Sequence, residues 1–172
     1  MPKLQQDDER ISPGANLLIS ILVRYPEVGT INYEAESGAL RFTFMLATIP
    51  AADEFTHIKD KLLASIAAYH LLEGIKGARV DVCLIPCDRV AMLAIRRDVA
   101  TLTKGEMALI IVFLRDALKD RLVADENDAI LEEDLLVQEE VISDMLESMK
   151  RENAAGGLIG IREDGRVLVF NK

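Results

Sequence analysis

The spacing of apolar positions along the chain changes several times, and each change marks an element. Leu17, Leu18, Ile21 and Leu22 share one helical face, because side chains three and four apart lie together on a helix. Ser12 can cap that helix, Pro13 suits its first position, and Pro26 ends it. The spacing then drops to two. Ile31 and Tyr33 alternate on one arm, Leu40, Phe42 and Phe44 on the other, with Ser37-Gly38 at the turn, which predicts a β-hairpin. Helical spacing returns at Phe55, Ile58, Leu62, Ile66 and Tyr69, closed by Gly74 and Gly77.

Val80, Val82 and Leu84 alternate again, as do Ala91, Leu93 and Ile95. The alanines of 90–101 would tolerate a helix, but the alternation favours a second hairpin turning at Pro86 to Asp88. Thr103 and Glu106 have the capping-box spacing and open a helix over about 104–122, apolar nearly all round and so expected to be buried. A further helix is expected over about 127–151. A third hairpin over about 157–171 turns at Asp164-Gly165.

Hairpins interleaved with helices predict an α+β fold, with about four helices on an antiparallel or mixed sheet built from three β-hairpins. The hairpin-helix unit occurs twice in tandem, at 28–75 and 79–123, without residue-level identity between the copies. Residues 1–11 read as a mobile polar tail, and 12–172 as one domain.

Charge alters the picture most at Asp125 to Met149, which holds ten carboxylates and no Lys, Arg or His. On a helix, Leu131, Leu135, Gln138, Ile142, Met145 and Met149 step by fours and threes into one seam. Leu136, Val137, Val141 and Leu146 widen that seam, which suits packing on the chain's own sheet. Self-association is the sharper alternative, with Gln138 setting register. Glu126, Glu133, Glu140 and Glu147 form a line opposite the seam, flanked by Glu132 and Glu139.

A solvated face is the plainest reading of such a run. A docking surface for a basic protein goes further and rests on the missing counter-charge. Helices often set Lys or Arg four residues from Glu, whereas adjoining like charges cost a few tenths of a kcal/mol per pair. The metal reading is weaker. Carboxylates seven residues apart stand about 10.5 Å apart along the axis. Only neighbours such as Asp128 with Glu132, or Glu140 with Asp144, could share an ion, and a small metal-assisted enzyme on those residues is the alternative function.

Other chemistry is sparse. Cys83 and Cys87 in an extended strand would face one side about 13 Å apart, too far for a disulfide or shared zinc. His57 and His70 lie about 220° apart around one helix. Arg96-Arg97-Asp98 is the densest basic spot within the domain, suited to an anion or, more plainly, to a salt bridge or a solvated edge. No serine-nucleophile or dinucleotide motif is present, and no cofactor is implied.

The net charge of −9 argues against DNA and anionic membranes as partners. It also argues against a winged helix, whose acidic helix would meet phosphate. With 5% aromatic residues and no tryptophan, a base-stacking surface is poorly supplied. The first residues have no apolar core of the kind a leader peptide needs, and two cysteines fit a reducing compartment, so a cytoplasmic setting is expected.

Overall fold

The computed structural model describes residues 12–124, 132–151 and 156–171. The expected tail over 1–11 lies outside them, as do Glu126, Asp128 and Leu131. The fold is α+β. Its order is α1 (Pro13–Arg24), β1 (Val28–Glu34), β2 (Ala39–Leu46), α2 (Ala52–Glu73), β3 (Val80–Cys87), β4 (Val90–Asp98), α3 (Lys104–Leu118), α4 (Glu132–Arg151), β5 (Leu158–Glu163) and β6 (Arg166–Asn171). The helix expected to reach 122 stops at Leu118 and gives way to a single 3-10 turn over Lys119–Arg121.

Local chemistry explains the boundaries. Ser12 accepts from Ala15 N at 3.2 Å and caps α1. Gly74 ends α2 at φ 70°, where Ile75 N reaches back to His70 O at 2.8 Å. The second hairpin turns at Asp88-Arg89, sharing only Asp88 with the expected Pro86 to Asp88 turn, and Asp88 takes φ 61°. Pro86 therefore stays inside β3. It is tolerated there because β3 is an edge strand, and a missing N–H on the outer side breaks no ladder bond. Asp164 and Gly165 both take positive φ, as a two-residue hairpin loop needs.

The sheet has six strands in the order β3-β4-β2-β1-β5-β6, and every neighbouring pair is antiparallel. Alternate residues point to opposite faces, so the register sorts the side chains. Val82, Ile95, Phe42, Ile31, Gly160 and Val169 run across one face beneath the helices. A Cβ at Gly160 would stand 2.9 Å from Leu22 Cδ1 and 3.1 Å from Ile31 Cγ2, so this glycine lets α1 lie close on the sheet. Leu17, Leu18, Ile21 and Leu22 are fully buried in that contact.

The other face carries no described helix. Cys83, Ala94, Thr43, Thr30, Ile161 and Leu168 form its central row, and Asp81, Arg96, Arg41, Asn32, Ile159 and Phe170 the row beside it.

Candidate interaction surface

The acidic helix α4 rests on α1 and touches α3, rather than lying on the sheet. The other helices already cover the sheet, so the seam finds its partners among them. Ile142, Leu146 and Met149 join the core at 0%, 1% and 7% exposure, with Met145 packed against it and Leu135 and Gln138 half-buried. Arg24 of α1 holds Glu139 at 2.9 Å. Glu139 is therefore an anchor of α4 within the chain, although the sequence places it on the outer surface.

Two residues expected to widen the seam do not. Leu136 is 63% and Val137 55% exposed. Only a narrow stripe of α4 faces α1, and these two positions have turned past it. They share the outer surface with Glu133, Glu140, Asp144 and Glu147, all exposed. Glu147 is met by Lys150 at 3.3 Å on its own helix. Among the described residues no ion pair reaches Glu133 or Glu140.

The weak metal alternative depends on Asp128, outside the described residues, and on Glu132, Glu140 and Asp144. Glu140 and Asp144 stand exposed one turn apart on α4. Among the described residues no three His, Cys, Asp or Glu side chains converge in a metal-sized cluster. Cys83 and Cys87 are free thiols on β3. The strand runs straight through Pro86, so nothing folds them together.

The densest charge chemistry lies at the Arg96-Arg97-Asp98 spot, where the sequence suggests salt bridges but does not name Glu106 and His70 as partners of Arg97. Arg97 of β4 and Glu106 of α3 are both 0% exposed. Arg97 Nε bonds Glu106 Oε2, and its Nη2 donates to Oε1 at 2.8 Å. His70 Nε2 lies 2.5 Å from the same Oε1. On the other side, Arg97 Nη1 meets Asp98 and donates to Thr101 Oγ1 at 3.0 Å. Burial would raise the Asp98 pKa, but the Thr101 hydroxyl at 2.6 Å, the Arg79 N–H at 2.8 Å and the Arg97 charge hold it below its usual value.

Thr103 does cap α3, accepting from Glu106 N at 3.2 Å, but the Glu106 side chain goes to Arg97 and His70 instead of closing the capping box. The signals were present in the spacing. Arg97 continues the inward series Ala91, Leu93, Ile95, and His70 continues Leu62 and Ile66 at intervals of four.

Arg96, one residue back, points to the open face. It donates to Glu34 at 2.7 Å and Ser37 at 2.9 Å, with Asp81 at 3.7 Å. Desolvation would raise the Glu34 pKa, but the Arg96 hydrogen bond and charge lower it. The cleft beside this group, about 530 Å³, is lined by Tyr33, Glu34, Glu36, Ser37, Arg96 and Gly157. Both arginines of the basic spot are thus engaged by carboxylates, which favours its salt-bridge reading over anion binding. His57 is exposed, far around α2 from His70.

No helix among the described residues is long and apolar enough to cross a membrane. Comparison with protein-family models, curated proteins and solved structures returns no match to this chain.

Proposed function

We propose that the chain is a non-catalytic interaction module that offers the outer face of α4 to a basic, amphipathic segment of another protein. The observation that carries this reading is the exposure of Leu136 and Val137, at 63% and 55%, within a ridge of exposed carboxylates. Water tolerates carboxylates, but two large aliphatic side chains, one on each flank of that ridge, gain by being covered, by roughly 25 cal/mol per Å² of apolar surface removed. A segment with a central row of Lys or Arg and an apolar group on either side of it would satisfy both features at once. Its charge would supply the counter-ions that Glu133 and Glu140 lack on α4. It would also speed encounter and make binding salt-sensitive.

Nucleic acid and anionic membranes are poor targets for this surface, given the net charge of −9. The setting is the cytoplasm, where the two free thiols stay reduced.

The test is capture from the source cell's lysate at low salt, with the wild type beside the Glu133→Lys/Glu140→Lys/Glu147→Lys variant. A stoichiometric protein held by the first and released by the second supports the module. Equal capture by both baits, or none by either, refutes it.

A further inference from the structure

We propose that two copies of the chain associate through the open sheet face, sheet against sheet, independently of the α4 surface. The core stripe of α4 is not available for this without opening the protomer, since Ile142 and Leu146 are buried against the chain's own helices.

The open face is less polar than a water-facing sheet should be. On a half-solvated antiparallel sheet the outer positions are normally polar. Here the central row is Cys83, Ala94, Thr43, Thr30, Ile161 and Leu168. On one side of it Ile85, Met92 and Met45 align. On the other, Ile159 and Phe170 continue the row of Arg41 and Arg96. Ile85 is 37% and Phe170 49% exposed.

Size and charge select the occupant. Six strands spaced about 4.8 Å apart, each about seven residues at about 3.3 Å, span a face of roughly 650 Å². Two such faces bury on the order of 1,300 Å², which falls within the range of stable specific interfaces. A single peptide would leave most of that area open. The charges of the face balance, with Arg41 and Arg96 beside Asp81 and Glu34, and Arg166 opposite Glu163. In a chain of net charge −9, this neutral face is where a second copy approaches with least repulsion. Packed sheets stand about 10 Å apart, a gap that Ile, Met and Thr side chains fill.

The test is sedimentation equilibrium of the full chain from about 1 to 100 µM. The wild type is expected at twice its 19.1 kDa chain mass. Thr43→Arg/Ile161→Arg places unpaired charge at the centre of the face and should raise the dissociation constant at least about a hundredfold. If that variant loses its folded circular-dichroism signal, Ile85→Lys/Phe170→Lys replaces it, because both side chains are already exposed in the protomer. The thiol of Cys83 gives a second readout. It is exposed in the protomer and should react more slowly with a thiol reagent in the wild type and the α4 variant than in either face variant. The triple lysine variant of α4 should remain dimeric, so that failure of this proposal and failure of the docking reading are separable. A wild type monomeric at every concentration, or a dimer unmoved by both face variants, overturns the proposal.

Discussion

Removing Glu106 tests the buried charge cluster most sharply. Glu106 and Arg97 are wholly buried and joined by two hydrogen bonds. Replacing Glu106 with Leu leaves a guanidinium in the core with Asp98 as its remaining carboxylate. Breaking one side of a buried pair costs about 3–5 kcal/mol. Asp98 partly compensates, which puts the expected loss near 3 kcal/mol. For a chain of this size that is about 6–12 °C in Tm. Arg97→Met should cost a similar amount, since it strands Glu106 with only His70 beside it. The double variant Arg97→Met/Glu106→Leu removes both charges and keeps the volume, and buried pairs replaced in this way are often neutral. It should therefore be more stable than either single variant. Urea unfolding of the four proteins reads the cycle directly. Additive losses, with the double variant the least stable, would refute the claim that these two charges are held by each other.

Three further outcomes follow from the same geometry. The Glu133→Lys/Glu140→Lys/Glu147→Lys variant should unfold within about 1 kcal/mol of the wild type, because all three side chains are exposed and the Glu147–Lys150 pair is a surface one; a large loss in urea would mean the ridge is part of the core. Ile142→Asp should unfold the domain at 25 °C or cost at least about 4 kcal/mol, by placing an unpaired charge where Ile142 is 0% exposed; a silent change by circular dichroism would show that α4 is not docked on α1. Asp98 titrates below its usual value of 3.8 in the folded protein. Its stabilisation is therefore present above that pH and lost as pH falls through the lower, folded value. The stability gap between wild type and Asp98→Asn should stay level from pH 7 to 5 and close below about pH 3.8; a gap that widens on acidification would reverse the assignment.

The elements were readable because the apolar spacing of this chain is clean. Alternation at Leu93 and Ile95 outweighed the alanines of β4, and Asp164-Gly165 named its own turn. The strand order was not readable. The C-terminal hairpin pairs with β1, more than a hundred residues earlier, and nothing local announces that contact. The surface of α4 was half legible. The exposed acids followed from the helical repeat. The repeat alone could not say that only a narrow stripe would meet α1, leaving Leu136 and Val137 outside. Nor could it say that Arg24, far off in sequence, would claim Glu139. Salt bridges at Arg96-Arg97-Asp98 were legible, but Glu106 and His70 as partners of Arg97 were not, because they read as a helix cap and a lone histidine until the inward series of β4 and α2 is carried one step further.

The docking role of α4 is tested most directly by the affinity of the captured partner for three forms of the chain: wild type, the triple lysine variant, and Leu136→Ser/Val137→Ser. Isothermal titration at two salt concentrations suffices. The account predicts that both variants bind at least tenfold more weakly, and that only the wild type and the serine variant lose affinity as salt rises, since both keep the carboxylates. Equal affinity for all three forms would contradict it and return the ridge to a solvated face.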